Sequence, residues 1–318
     1  MTTILLAFPG QDFTEEHVAL VQAQARGMQV IRTREREEIE AVLDEVEIAA
    51  GRVPYDLVLR APRLRWLQLW SAGANWLMRH PEASERPFVL TNASGVHSVP
   101  ISEHILAFLL AFSRDFPGAW RAQSERRWER QHHVFELAGK TLLLVGVGAI
   151  GERTAQVASG LGLRVWGVRR NPEIAVPHVE RMGGMEDLET WLPLADLVVL
   201  TIPLTAETQH AFGEDQLRRM KTSAYLVNIG RGQTVDEPAL IKALKEGWIA
   251  GVGLDVFEAE PLPAESPLWS MPNVLITAHY SGSTPAYHAR ALDIFLDNLN
   301  RYHDGHALRN VVDKQIGY

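Results

Sequence analysis

The chain of 318 residues is 46% hydrophobic and 22% charged, contains no cysteine, and has a formal net charge of −8. This composition is ordinary for a globular protein, and the length is sufficient for two domains that each bury a core. The acidic balance argues against nucleic acid or an anionic membrane as the main partner. The lack of cysteine excludes disulfides, thiolate nucleophiles and cysteine–zinc sites.

The N-terminal sequence MTTILLAFPGQDF has a short apolar run without a basic lead, which predicts a first buried strand rather than a signal peptide. No apolar run approaches the ~18 residues of a membrane span. We therefore expect a cytoplasmic protein. No metal site is predicted, because His132 and His133 have no suitably spaced partners and are expected on a solvated surface.

The first part of the chain alternates between strand-like and helix-like segments. Apolar spacing predicts strands at TILLAF, QVIRT, YDLVL, WLQLWSAG and FVLTNASG, and helices at EEHVALVQAQARGM and EREEIEAVLDEVEIA. One long helix is then predicted from Ile101 to Arg127, after Pro100. Glu103 and His104 are expected to be structural residues at the start of that helix.

A second alternating region begins at Gly139. Six strands are predicted, at KTLLLVGVG, RVWGV, DLVVLTIP, AYLVNIG, GVGLDVF and VLITAH, and most are separated by helical segments. This alternation predicts a doubly wound parallel sheet. The last segment, TPAYHARALDIFLDNLNRYHDG, predicts a long helix that packs back on the first region.

The sequence GVGAIG lies between the strand TLLLV and a predicted helix. Gly146 permits a tight turn, Gly148 lets the backbone approach a pyrophosphate, and Gly151 lets helix and strand pack closely. The helix N-terminus then offers free N–H groups and a positive dipole end to phosphates. An isolated glycine pattern is weak evidence, but this context predicts a dinucleotide-binding loop.

The next strand ends in VWGVRRN, with Arg169 and Arg170 where an acidic residue usually holds the adenosine ribose. A guanidinium suits a 2′-phosphate, and Arg170 can add charge or stack on adenine. The pair therefore predicts NADP as the preferred cofactor, with NAD still possible. The alternative is a solvent-exposed basic pair.

Polar residues also follow the last three predicted strands. Arg231 follows one strand, Asp255 and Glu260 follow the next, and His279 follows the last. Parallel strands share one carboxyl edge, so these residues are expected to face one cleft. Arginine binds carboxylates, histidine transfers protons near neutral pH, and a neighbouring carboxylate orients the imidazole ring. Each residue alone is equally compatible with a surface or structural role.

With these residues in place, the chain resembles the D-isomer-specific 2-hydroxyacid dehydrogenases, which include glyoxylate/hydroxypyruvate reductases and phosphoglycerate dehydrogenases. The resemblance covers almost the whole chain. It depends on the segments LQLWSAGANWL, ELAGKTLLLVGVGAIG, TIPLTAETQHAFG, MKTSAYLVNIGRGQTVDEPALIKALKEGWIAGVGLDVFEAEPLPAESPLW and PNVLITAHYSGST.

The resemblance implies reduction of a small 2-keto acid to the D-2-hydroxy acid. Arg231 would bind the substrate, His279 would act as general acid/base, and Glu260 would hold His279 in its protonated form. Asp255 would hydrogen-bond the nicotinamide carboxamide. The backbone N–H groups around Ala72 and Gly73 in the turn SAGAN would bind the substrate carboxylate.

The resemblance also implies two Rossmann-like domains and a homodimer. Residues 1–98 and 286–318 would form the substrate domain, and residues 99–285 the inserted dinucleotide-binding domain. Besides the three loop glycines, the arginine pair and Asp255, the implied cofactor contacts are Ala149, Ile150, Pro203, Thr208, Ile229 and Gly230.

One departure from the family lies after the histidine, where HYSGST replaces a sequence close to HIGSAT. Tyr280 and Ser281 make the contacts of this loop with nicotinamide and substrate less predictable. Three alternatives stay open: an NAD-using reductase of the D-lactate or branched 2-keto acid type, a phosphoglycerate dehydrogenase, and a non-catalytic dinucleotide-sensing protein that binds partner peptides.

Overall fold

The computed structural model describes residues 2–130, 133–315 and 317, so His132 lies outside the described residues. Two compact units are present: unit 1 combines Met1–Val96 with Thr284–Tyr318, and unit 2 is the continuous segment His97–Ser283. Each unit contains one all-parallel sheet with helices packed on it, which confirms the predicted α/β fold class. Within the described part of the chain, no helix is long and apolar enough to cross a membrane.

Unit 1 has a five-stranded sheet in the order β2-β1-β3-β4-β5. Its strands are β1 (Thr3–Ala7), β2 (Gln29–Arg32), β3 (Val46–Gly51), β4 (Trp66–Gln68) and β5 (Val89–Thr91). Its helices are α1 (Glu15–Gln24), α2 (Arg36–Val42), α3 (Tyr55–Arg60) and, at the end of the chain, α10 (Tyr287–His303).

Both faces of this sheet are buried, because successive side chains of a strand point to opposite faces. Leu5 of β1 packs in a cluster with Ile39 of α2. Its neighbours Ile4 and Leu6 pack in a second cluster with Phe295 of α10. The central strands are therefore almost continuously apolar, as parallel strands covered on both sides are expected to be.

Two segments of unit 1 differ from the sequence prediction. YDLVL is helix α3 and not a strand, since six residues are too few for apolar spacing to distinguish the two. The predicted helix EREEIEAVLDEVEIA ends at Val42, a 3-10 turn follows at Leu43–Glu45, and the last four residues of the segment belong to strand β3. Strand β3 pairs with both β1 and β4, so burial within the sheet overrides the helical propensity of its alanine and glutamate residues.

Unit 2 has a seven-stranded sheet in the order β12-β11-β10-β9-β6-β7-β8. Its strands are β6 (Thr141–Val145), β7 (Arg164–Val168), β8 (Arg181–Gly183), β9 (Leu197–Leu200), β10 (Tyr225–Asn228), β11 (Gly251–Leu254) and β12 (Val274–Ile276). Its helices are α4 (Ser98–Ser113), α5 (Phe116–Ser124), α6 (Ala149–Gly160), α7 (Leu188–Trp191), α8 (Glu214–Arg219) and α9 (Glu237–Glu246).

Helices cover both faces of this sheet as well. Leu144 of β6 packs in a cluster with residues of α4 and α6, whereas Leu143 packs with residues of α8 and α9. The strand order reverses between β6 and β9, because the chain runs outward from β6 to β8 and then returns to β9. Ligands of doubly wound sheets bind outside the carboxyl ends of the strands at such a reversal.

Unit 2 corrects two further predictions. The single helix from Ile101 to Arg127 is two helices, α4 and α5, which are separated at Asp115. Asp115 has a left-handed backbone with φ of 50°, and its side chain accepts the N–H of Gly118 as the cap of α5. Strand β8 was not predicted, because its three residues carry no periodic pattern. The sheet therefore has seven strands instead of six.

Candidate active site

The glycine loop follows β6 at the reversal of strand order in unit 2. Gly146 has a φ of 103°, and a Cβ there would lie 2.8 Å from the hydroxyl oxygen of Thr201. A Cβ on Gly151 would overlap the carbonyl oxygen of Gly146. A Cβ on Gly148, in contrast, would meet no heavy atom within 4 Å among the described residues. Packing thus requires the first and third glycines, and the second borders open space.

Helix α6 starts directly from this loop. Its cap residue is Gly148, which offers no side-chain oxygen to the first N–H groups of the helix. Ala149 and Ile150, the first two helical residues, are half-buried. An uncapped helix N-terminus presents free N–H groups and a positive partial charge, which suits an anionic group such as a pyrophosphate. The loop therefore has the geometry that the dinucleotide prediction requires.

The arginine pair lies at the carboxyl end of β7, the neighbour of β6 in the sheet. Arg169 donates its backbone N–H to the carbonyl of Gly183 at 2.9 Å, which fixes the start of its side chain. The Arg169 side chain is half-buried, and its guanidinium has no protein partner among the described residues. Arg170 is exposed. The position and the unpaired guanidinium of Arg169 fit an anionic ligand group.

Arg231 follows β10 and is half-buried. Its guanidinium donates to the carbonyl of Gly230 at 2.7 Å. Burial lowers the pKa of Arg231, and the negative charge of Glu260 acts in the opposite direction. A Cβ on Gly232 would overlap the backbone of Phe257. Because glycine has no Cβ, the loop of Arg231 packs directly on the loop that follows β11. Glycine at this position therefore places the two loops side by side.

His279 and Glu260 are in direct side-chain contact. Nδ1 of His279 lies 2.7 Å from Oε2 of Glu260, while the backbone N–H of Phe257 donates to Oε1 at 3.0 Å. The His279 side chain is 50% exposed. Because Nδ1 faces the carboxylate, Nε2 is the ring nitrogen left to exchange a proton with a ligand.

Asp255 is fully buried directly after β11. Its Oδ1 accepts the backbone N–H of Tyr280 at 3.0 Å, and its Oδ2 accepts the N–H of Ser281 at 3.0 Å. The N–H of His279 donates to the backbone carbonyl of Asp255 at 2.8 Å. Asp255 therefore anchors the loop that carries His279. The predicted contact of Asp255 with a nicotinamide carboxamide stays a prediction.

Three polar residues in or near this loop were not predicted as site residues. Thr277 donates its hydroxyl to Oδ1 of Asp255 at 2.6 Å, and Nε2 of His104 lies 2.9 Å from the same hydroxyl oxygen. Burial lowers the pKa of His104, and the charge of Asp255 partly offsets this effect. His97, directly before α4, places Nδ1 3.0 Å from the carbonyl oxygen of Gly282. The seven-residue spacing of His97 and His104 could have indicated that both belong to one site, because residues at i and i+7 share one helix face.

The other predicted cofactor contacts also lie on loops at the carboxyl edge. Pro203 is exposed after β9, and its carbonyl accepts the hydroxyl of Thr208 at 2.7 Å. Ile229 is buried directly after β10. A Cβ on Gly230 would lie 2.7 Å from the carbonyl oxygen of Ile202, so the loops after β9 and β10 pack closely.

Ala72 and Gly73 lie in unit 1, on the loop that follows β4. Their carbonyls accept hydrogen bonds from Asn92 at 2.8 Å and from Ser71 at 3.3 Å. The N–H groups of Ala72 and Gly73 find no acceptor within residues 2–130, 133–315 and 317. These two donors are therefore available to an anion, and their role as substrate ligands stays a prediction.

A glycine loop at the switch point, together with a histidine–carboxylate pair on the same sheet edge, is the arrangement expected of a dinucleotide-dependent enzyme. Residues 106–281 match the family model of the D-isomer specific 2-hydroxyacid dehydrogenase NAD binding domain. A glyoxylate reductase of Korarchaeum cryptofilum is 37% identical over 85% of this chain and 82% of its own length.

Two solved structures extend the comparison. The D-isomer specific 2-hydroxyacid dehydrogenase of Xanthobacter autotrophicus Py2, in complex with NADPH and MES, has a TM-score of 0.87 at 31% identity and covers 100% of this chain and 99% of its own. An NADPH-dependent glyoxylate/hydroxypyruvate reductase of Sinorhizobium meliloti has a TM-score of 0.84 at 25% identity, with 100% of both chains covered. The chain therefore belongs to the D-isomer specific 2-hydroxyacid dehydrogenase family and is an NAD(P)-dependent oxidoreductase, as its sequence predicted.

Proposed function

We propose that this protein uses NADPH to reduce a small 2-keto acid of the glyoxylate/hydroxypyruvate class to the D-2-hydroxy acid. The observation that carries the proposal is the 2.7 Å pair of His279 and Glu260 on the sheet edge that also bears the glycine loop. The glyoxylate reductase from K. cryptofilum and the glyoxylate/hydroxypyruvate reductase from S. meliloti support the substrate class.

The cofactor would be held by the loop and strand ends of unit 2. The open space at Gly148 and the free N–H groups of α6 suit the pyrophosphate, and the unpaired guanidinium of Arg169 suits a 2′-phosphate. When bound, the nicotinamide supplies the hydride. The NADPH and NADP complexes of the two related structures support the same choice of cofactor.

The protein itself would supply the positive charge and the proton. Arg231 would bind the carboxylate or the keto oxygen of the substrate through its forked guanidinium. His279, held through Nδ1 by Glu260, would donate the Nε2 proton to the carbonyl oxygen as negative charge develops there. Glu260 fixes the direction of the His279 ring through its contact with Nδ1. The burial of Arg231 strengthens its interaction with an anionic substrate, because fewer waters compete for the guanidinium.

The test is oxidation of NADPH by the purified protein in the presence of glyoxylate or hydroxypyruvate. We expect turnover with the wild type and a loss of roughly 10²–10⁴-fold in kcat for His279→Ala, while NADPH binding measured by fluorescence is retained. His133→Ala, a change of an exposed histidine, is the matched control.

Two outcomes would contradict the proposal. Unchanged turnover in His279→Ala would exclude the proposed proton donor. No turnover with any 2-keto acid, combined with tight dinucleotide binding, would favour a dinucleotide-sensing protein instead.

We also infer a homodimer, from exposed aromatic side chains in unit 2. Phe116 and Trp120 of α5 are 46% and 53% exposed, and their rings pack against each other at 5.8 Å. Trp128, shortly after α5, is fully exposed. Neighbouring exposed aromatic residues are typical of protein–protein contacts. Sedimentation velocity should give a dimer for the wild type and a shift towards monomer for Trp120→Glu; a wild-type monomer at micromolar concentration would contradict the inference.

A further inference from the structure

A chain of hydrogen bonds connects helix α4 to the loop of residues 277–282. The carboxylate of Asp255 accepts from the hydroxyl of Thr277 at 2.6 Å. A hydroxyl has a single proton, so its oxygen can only accept from His104, whose Nε2 lies 2.9 Å away. His104 therefore carries a proton on Nε2, and every hydrogen bond in this chain is directed towards Asp255.

Helix α4 is held close to the strand that leads to Asp255. A Cβ on Gly253 in β11 would lie 2.8 Å from the ring of Phe108, so only glycine allows the helix to approach this closely. The Phe108 ring in turn meets the ring of His104 edge-on at 4.8 Å. On its other side, His104 meets the ring of Tyr280 edge-on at 5.6 Å. The imidazole of His104 is thus fixed by packing as well as by its hydrogen bond.

The loop needs such an anchor because His279 has a left-handed backbone, with φ of 52°. This conformation is uncommon for residues other than glycine and persists where surrounding contacts enforce it. The backbone N–H groups of His279, Tyr280 and Ser281 all donate to Asp255, to its carbonyl or its carboxylate. One buried residue therefore determines the backbone direction of three successive loop residues.

We propose that His104 and Thr277 are positioning residues that, through Asp255, hold His279 in its left-handed conformation with Nε2 directed towards the substrate. The proposal rests on the proposed function, in which His279 donates the proton. His104 and Thr277 themselves touch neither substrate nor cofactor in this scheme. Their effect is on the orientation of the acid, and a displacement of about 1 Å of a catalytic group can cost about 10²-fold in rate.

The test compares Thr277→Val, which removes the hydroxyl, with Thr277→Ser, which keeps it. We expect Thr277→Val to lower kcat by roughly 10- to 100-fold while the KM for the 2-keto acid changes less than about threefold. Thr277→Ser should restore most of kcat. The matched control is Thr141→Val: the buried hydroxyl of Thr141, at the start of β6, accepts from Arg164 at 2.7 Å. Its loss should lower the unfolding midpoint and leave kcat unchanged.

Hydrogen exchange followed by mass spectrometry tests the anchor without any assay of turnover. Peptides that cover residues 277–283 should exchange faster in Thr277→Val and in His104→Phe than in the wild type and Thr277→Ser. Wild-type kcat in Thr277→Val, or a lower kcat without faster exchange in this loop, would overturn the proposal. Failure of the proposed function gives different results: either the wild type turns over no 2-keto acid, or His279→Ala keeps the wild-type turnover, whatever the exchange rates are.

Discussion

Glu260 is held through both of its carboxylate oxygens, with Oε2 2.7 Å from Nδ1 of His279 and Oε1 3.0 Å from the backbone nitrogen of Phe257. The carboxylate cannot rotate without breaking one of these contacts. The direction of the His279 ring therefore depends on the Glu260 carboxylate, and the backbone N–H of Phe257 holds that carboxylate in place.

This arrangement predicts the effect of changing Glu260. Glu260→Gln keeps the length and one acceptor but loses the negative charge that orients the His279 ring, so we expect kcat for 2-keto acid reduction to fall about 100-fold. Glu260→Asp keeps the charge but has a shorter side chain that no longer reaches Nδ1 of His279, so its kcat should fall by a similar factor. Steady-state kinetics checks both variants. The control is Glu265→Gln, because Glu265 is exposed and, like Glu260, follows strand β11. Wild-type kcat in both Glu260 variants would show that His279 needs no carboxylate partner.

Cofactor choice is expected to depend on Arg169. Its half-buried guanidinium has no partner within the described part of the chain, and one hydrogen bond to a charged group contributes about 1.5–3 kcal/mol. Arg169→Ala should therefore raise the KM for NADPH roughly tenfold to hundredfold and leave the KM for NADH almost unchanged. Arg169→Asp should shift the preference to NADH, since a carboxylate repels a 2′-phosphate.

The control for Arg169 is Arg164→Ala, at the amino end of the same strand, where no cofactor contact is expected. The measurement is the ratio of kcat/KM with NADPH to that with NADH. A wild type that already uses NADH better than NADPH would contradict the role of Arg169, and the family assignment would be unaffected.

The glycine loop allows a comparison of two alanine substitutions with opposite consequences. A Cβ on Gly148 meets no protein atom within 4 Å among the described residues, so Gly148→Ala should leave the unfolding midpoint without cofactor almost unchanged. The methyl group would occupy the space proposed for the pyrophosphate, and NADPH affinity should fall at least tenfold. Gly151→Ala places its methyl group on the carbonyl of Gly146 and should lower the unfolding midpoint itself.

Both quantities come from thermal unfolding with and without NADPH. If Gly148→Ala binds NADPH as tightly as the wild type, the pyrophosphate does not lie against this residue. If Gly151→Ala is as stable as the wild type, helix α6 can move away from the loop without cost.

The residues of the sheet edge in unit 2 could be predicted from sequence because their positions depend on local rules. Gly146, Arg231 and His279 each follow a strongly apolar strand, and all strands of a parallel sheet end at one edge. Elements without such a pattern were missed. Strand β8 has only three residues, and helix α3 is too short for its apolar spacing to be decisive. The break at Asp115 had an indication in Pro117, since proline is favoured at the start of a helix.

The contacts around Asp255 could not be predicted for a different reason. His104 and Thr277 meet because α4 lies directly against Gly253. The close approach of α4 to strand β11 depends on the packing of the Phe108 ring on Gly253. The sequence predicts His104 as a structural residue at the start of a helix. The helix in fact begins at Ser98, so the histidine lies in its second turn. Side-chain contacts across 173 residues carry no periodicity that a single sequence could display.

Asp196 gives a prediction about stability and pH. Its carboxylate accepts the backbone N–H of Thr141 and the ammonium of Lys221, each at 2.9 Å, at the amino ends of the central strands. Burial raises the pKa of Asp196, but these two contacts and the positive charges of Lys221 and Lys140 together lower it by more, so the folded pKa lies below the ordinary value. A depressed folded pKa contributes stability above the unfolded pKa of about 3.9, and this stability is lost as the pH falls through the folded pKa.

Asp196→Asn should therefore lower the free energy of unfolding by roughly 1–2 kcal/mol at neutral pH, and the difference from the wild type should shrink below about pH 4. Calorimetric unfolding of both proteins from pH 7 downwards measures this, with Asp304→Asn, which breaks the exposed pair with Arg26, as a control of much smaller effect. A difference between wild type and Asp196→Asn that stays constant over the acid range would show that the charge of Asp196 does not contribute to stability.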